Sequence, residues 1–227
     1  MGYLVHRDAD LLAGGIRAAA GAGARVILVA VPAAQGIPAL RRAVDDVTRT
    51  GALVVAPPRF DQEMPRGGTL FPAAYPEVLS VTSVDPGVPA EEEPALRVDL
   101  AAPGDQTGLA TGRSPAPAIG SGPSSAAALD AGAAALVLSH RPRLAPAQLS
   151  DRLKTTAHPP APRLPDSQIG HGVLDPQAAI SARPPDEPAP SRSAAPRPHT
   201  VTKPAPTRSS VGAAPRPWPW PWPPPSA

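Results

Sequence analysis

Apolar residues form two kinds of pattern along the first 180 residues, and neither continues beyond them. Leu11, Leu12, Ile16, Ala19 and Ala20 recur at helical spacing, which predicts a helix over residues 10–22 with Asp10 as its N-cap. Gly21 and Gly23 close it. Val26-Ile27-Leu28-Val29-Ala30-Val31 follows, an apolar run without alternation, as in a parallel strand covered on both faces. Pro38 suits a first helical turn, and Leu40, Ala43, Val44 and Val47 share one face of a helix predicted over residues 38–50. Gly51 stops it, and Leu53-Val54-Val55-Ala56 reads as another buried strand. Strand, helix and strand joined by short connections make a right-handed crossover unit.

Two further strands are predicted over residues 78–84 and 96–100, with a turn-rich acidic loop from Asp85 to Pro94 between them. A Pro/Gly/Ser-rich connection over residues 103–123 leads into an Ala-rich helix at about 124–139. Its small side chains let neighbours approach closely, while Asp130 puts a charge on an otherwise apolar helix. Another helix starts near Ala145, and an apolar piece from Gly172 to Ile180 closes the body. This order implies an α/β fold with a largely parallel sheet.

Composition divides the chain. Of 36 prolines, 21 fall in residues 1–180 and 15 in the remaining 47 residues. From Ser181 on there is almost no aliphatic side chain larger than alanine, so this stretch cannot bury enough apolar surface to offset its ordering entropy. The expected organisation is a domain over residues 1–181 and a disordered Pro/Arg/Trp-rich tail over 182–227. The tail carries six of the 21 basic residues and two of the 19 acidic ones, leaving the body 15 basic and 17 acidic. Positive charge is thus spread along the tail rather than clustered on a face, which argues against nucleic-acid binding. Without cysteine there is no disulfide, thiolate metal site or thiol chemistry. Residues 1–8 lack the basic-then-apolar order of a signal peptide, and no apolar run is long enough to span a bilayer.

Five segments in order carry a resemblance. They are Ala24-Arg25-Val26-Ile27, Phe71-Pro72-Ala73-Ala74-Tyr75-Pro76 through Val81, Val98-Asp99-Leu100-Ala101-Ala102-Pro103-Gly104, Gly122-Pro123-Ser124-Ser125-Ala126-Ala127-Ala128 with Ala131-Gly132, and Gly170-His171-Gly172-Val173-Leu174-Asp175-Pro176. Together they resemble the C-terminal half of subtilisin-like serine peptidases, especially actinobacterial and mycosin-like members. The resemblance implies a partial three-layer α/β/α domain with a mostly parallel sheet. It also implies serine endopeptidase chemistry on peptide or protein substrates, and a secreted or cell-envelope setting.

Such chemistry needs a nucleophile, a general base in reach of it and a group that orients the base. The resemblance puts Ser124 at the nucleophile position. The family's Asp and His lie upstream in "D(S/T)G" and "HGT" contexts, and neither motif occurs in this sequence. His6, Asp8 and Asp10 lack those contexts. Phe60 stands where the family places the asparagine that stabilises the oxyanion. Pro32 follows Ala30-Val31 on the edge that pairs with substrate, and proline cannot donate to a ladder. Positions that need only be apolar or small survive, while those that carry chemistry do not.

The expected protein is therefore a truncated, catalytically incompetent homologue. One alternative is an active endopeptidase in which a separate chain completes Ser124. The other is a non-enzymatic protein acting through its tail, whose Pro215–Pro225 stretch favours polyproline II for an aromatic-lined groove. Ser124 is also suited to capping the helix that follows. His171 with Asp175 or Asp166 is the one substitute base pair in view, and the plainer account makes His171 a structural turn residue. His140, His158 and His199 are scattered without carboxylate or Cys partners, Glu91-Glu92-Glu93 reads as a solvated loop, and no metal or cofactor is expected. A further expectation is that the strand at residues 26–31 forms an open sheet edge, leaving residues 1–180 alone poorly soluble or molten.

Overall fold

A computed structural model describes residues 9–61, 68–84, 97–104, 107–109, 118–159 and 164–182. All of them belong to one compact unit, residues 1–184. The tail and the acidic loop after Val84 lie outside the described residues.

The chain runs α1 (Ala9–Gly21), β1 (Val26–Leu28), α2 (Pro38–Arg49), β2 (Leu53–Ala56), β3 (Leu79–Val84), β4 (Leu100–Pro103), β5 (Thr107–Leu109), β6 (Ala118–Gly120), α3 (Pro123–His140), α4 (Pro146–Thr156) and α5 (Pro176–Ser181). Strands β1 to β4 form a parallel sheet in sequence order. Each parallel step needs a crossover, and α2 supplies the one from β1 to β2. Strand β2 shows why its apolar run does not alternate. Leu53 and Val55 pack with α3, α4 and α5, whereas Val54 and Ala56 pack with α1 and α2. All four are essentially inaccessible. The sheet is therefore covered on both faces, as the unbroken apolar runs imply, and the three layers are α/β/α, as the family resemblance implies.

Several boundaries differ from the sequence expectation, each for a physical reason. Strand β1 ends at Leu28, not Val31, because the chain turns toward the site after Val29 donates to Val55. Asp10 is the second residue of α1 rather than its N-cap. The fourth strand starts at Leu100, not Leu96. Ahead of it, side chains supplement a single backbone bond from the Asp99 amide to the Ser80 carbonyl: the Asp99 carboxylate accepts from the Ser80 amide at 2.8 Å, and Arg97 donates to the carbonyls of Ala73 and Val78. The Pro/Gly/Ser-rich connection contains the antiparallel pair β5 and β6. Gly51 stops α2 as expected, with φ +102°.

Helix α3 lies at the domain centre, with Ala126, Ala127 and Ala134 wholly buried against the sheet. Asp130 shares that face at 0% exposure, and neither carboxylate oxygen has a hydrogen-bond partner among the described residues.

The two sheet edges are treated differently. The outer edge of β4 is covered, because Ala101 donates to the Gly172 carbonyl and accepts from Leu174. The outer edge of β1 pairs with no strand among the described residues, and Leu28 is 39% exposed beside it. Open apolar edges template self-association, and a lysine placed on one blunts it. Leu28→Lys is expected to raise severalfold the concentration at which the chain self-associates in sedimentation velocity. Equal self-association of both proteins would show that another element covers the edge.

Candidate active site

The carboxyl ends of the parallel strands converge on the start of α3. Two glycines make the convergence tight. A Cβ on Gly104, just after β4, would sit 2.4 Å from the Ser83 Cβ and 2.7 Å from the Gly122 carbonyl oxygen. Gly122 adopts φ +98°, donates to the Gly104 carbonyl at 2.9 Å, and leaves no room for a side chain beside Asp61. Gly122 is the N-cap of α3, with Pro123 in the first turn, so neither supplies a side chain to the free amides of the helix start.

Ser124 follows, half-buried, in that first turn. Its backbone N–H donates to Asp61 Oδ1 at 2.8 Å. Its hydroxyl donates to the carbonyl oxygen of Ala30, 2.5 Å away, beyond the end of β1. The expectation that Ser124 caps α3 is thereby corrected: Gly122 holds the cap position, and the Ser124 hydroxyl is committed to another element. A peptide carbonyl accepts this hydrogen bond but cannot take the proton as a general base does.

The residue facing the Ser124 amide is Asp61, and Phe60 precedes it, half-buried. Matching the family motif letter by letter selects Phe60 and overlooks Asp61. Only a contact across 63 residues reveals it. Where an asparagine would offer an N–H to a developing oxyanion, this carboxylate accepts one.

The substitute base pairs do not assemble at Ser124. The His171 amide donates to the Asp99 carbonyl, at the amino end of β4, whereas Ser124 lies near Gly104. Five extended residues separate those levels by roughly 16 Å. Asp175 caps α5 through the Ala178 amide, and its other oxygen lies 3.0 Å from His158 Nε2. His158 thus has a carboxylate partner, contrary to the sequence reading. Asp166 accepts from the amides of Gln168 and Ile169 within a turn. Asp10 lies on α1, while His6 and Asp8 fall outside the described residues. Among the described residues, no three of His, Asp and Glu gather in a group that could hold a metal ion. No helix among them is long and apolar enough to cross a membrane.

Residues 8–172, nearly three-quarters of the chain, match the Subtilase family of peptidases. The chain belongs to the subtilase family. Its subtilase segment is 44% identical over 80 residues to Mycosin-5 of Mycobacterium tuberculosis (strain ATCC 25618 / H37Rv), a stretch covering 34% of this chain and 14% of that protein. It is 33% identical over 136 residues to the halolysin-like extracellular serine protease Nep of Natrialba magadii, covering 59% of this chain and 24% of that one. Among solved subtilase structures, MycP1 from Mycobacterium smegmatis superposes with a TM-score of 0.65 at 28% identity, over 82% of this chain and 58% of that chain. The chain therefore spans less than a quarter of the length of these two protein relatives and somewhat over half of the solved structure.

Proposed function

We propose that this chain is a subtilase-family protein in which Ser124 is chemically silent, so that the retained domain serves peptide or partner binding rather than peptide hydrolysis. The hydrogen bond from the Ser124 hydroxyl to the Ala30 carbonyl carries the reading. A serine attacks only when a base removes that hydrogen, and a backbone carbonyl at the site holds it instead. The Asp61 carboxylate on the Ser124 amide supports the same reading, because it brings negative charge where acyl transfer develops negative charge. The proposed domain is residues 1–181, which ends with α5, and residues 182–227 serve as a proline-rich spacer or polyproline ligand.

Fluorophosphonate labelling of the full chain tests silence directly. Modification of Ser124 is expected at the level of a Ser124→Ala control, read by peptide mass spectrometry. Labelling that disappears in Ser124→Ala would overturn this reading. Labelling that appears only when a second polypeptide is added would instead support a base supplied from another chain.

A further inference from the structure

We propose that Asp61 is the positioning residue that sets the electrostatic state of Ser124, acting as a resident anion on the amide at which an acyl oxyanion would otherwise be held. The inference rests on the reading of Ser124 as silent and gives that silence a cause.

Three observations converge. First, α3 is an 18-residue helix that opens without a capping side chain of its own. Pro123 has no N–H, and the amides of Ser125 and Ala126 are turned inward to the Gly122 carbonyl at 3.1 and 3.3 Å. The Ser124 N–H points instead at Asp61, so a carboxylate from the segment after β2 occupies the positive end of the helix. Second, the backbone is built around this carboxylate. A Cβ on Gly122 would lie 2.8 Å from Asp61 Oδ1 and 3.2 Å from the Asp61 Cα, so only glycine admits Asp61 at this distance. Third, the Ser124 hydroxyl is held by the Ala30 carbonyl, and among the described residues Asp61 is the charged side chain hydrogen-bonded to Ser124. A fixed negative charge beside Ser124 disfavours an anion on its side chain, and it also competes for the N–H donor such an anion would use.

The sequence supplies a clean probe, because the chain has no cysteine. Ser124→Cys places one thiol at the site, and its alkylation rate by iodoacetamide against pH reports the thiolate fraction without requiring any hydrolysis. A thiol at a helix N-terminus ordinarily titrates below the free value of about 8.5, and an adjacent carboxylate opposes that depression. Adding Asp61→Asn to Ser124→Cys is expected to move the profile to lower pH and to speed alkylation at pH 7 about three- to tenfold. The gain should shrink in 1 M salt. Superimposable profiles from the two folded variants, matched in circular dichroism, would overturn the proposal, since a merely structural cap leaves thiol acidity unchanged. Should Asp61→Asn fail to fold, the single variant decides: titration near or above about 8.5 supports the resident anion, and titration well below it overturns it. Fluorophosphonate labelling of wild-type Ser124 would sink silence alone, and the thiol profiles would still judge Asp61.

Discussion

Asp130→Ala is expected to be more stable than the wild-type chain by about 3 kcal/mol at pH 8, an advantage that shrinks to about zero near pH 4. Asp130 sits at 0% exposure on α3, and neither of its oxygens has a hydrogen-bond partner among the described residues. Burial first, and the nearby charge of Asp99 second, push its carboxyl from the ordinary 3.8 up to about 7. Folding therefore takes up a proton between those two values. A raised folded value means that the group's stability contribution is fully present below about pH 4 and is lost as pH rises through about 7. Each pH unit in that window is worth about 1.4 kcal/mol, so the wild-type chain loses on the order of 4 kcal/mol across it. Alanine removes this penalty, fits among Ala126, Ala127, Ala131 and Ala134, and gives back roughly 1 kcal/mol through the small space it leaves. Urea unfolding of both proteins at pH 4, 6 and 8 provides the measurement. Asp130→Asn should share the flattened profile but remain less stable than alanine, because a buried amide without partners keeps its desolvation cost. A difference between wild type and Asp130→Ala that does not vary with pH would refute this account.

Gly172→Ala is expected to cost about 4 kcal/mol, enough to unfold a marginal domain. Gly172 has φ +124°, a backbone conformation that L side chains rarely adopt. The added Cβ would lie 2.0 Å from the His158 carbonyl oxygen and 2.6 Å from its carbon. These are backbone atoms already committed: His158 and Val173 exchange N–H···O bonds of 2.8 and 2.9 Å. Neither side of this bridge can retreat cheaply, because Gly172 and Leu174 also pair with Ala101 and so cover the outer edge of β4. Strain and clash thus fall on the piece that closes the sheet. Chemical denaturation and amide exchange at Ala101 and Leu174 would register the loss. An alanine variant within about 0.5 kcal/mol of wild type would show that the closing turn is looser than its contacts imply.

The two positions mark different depths of legibility. Asp130 stands out in the sequence as a charge on an apolar helix, and the structure adds that its carboxylate has no hydrogen-bond partner among the described residues. Gly172 belongs to a motif, Gly170 to Pro176, whose order along the chain carried the family resemblance. That only glycine fits there depends on His158, which reaches it across a loop. The layered sheet was similarly readable: the unbroken run Leu53 to Ala56 means two covered faces, and the separation of Leu53 and Val55 from Val54 and Ala56 fulfils that meaning. The start of β4 was not readable, because the Asp99 carboxylate and the Arg97 guanidinium take backbone partners that strand propensity does not anticipate.

At the site the division is sharper. From its own residues the chain determined the α/β layering, the place of Ser124 at a helix start, and the absence of the family's Asp and His contexts. These follow from local periodicity and from short motifs, which are properties of neighbours in sequence. Tertiary structure alone decided the hydrogen-bond partners of Ser124. Its hydroxyl partner is 94 residues away and its amide partner 63 residues away, and both arrive because parallel strands deliver their carboxyl ends to one edge of the sheet. No local pattern encodes which carbonyl or carboxylate such a convergence brings, because the packing of four strands against one helix sets the final few ångströms.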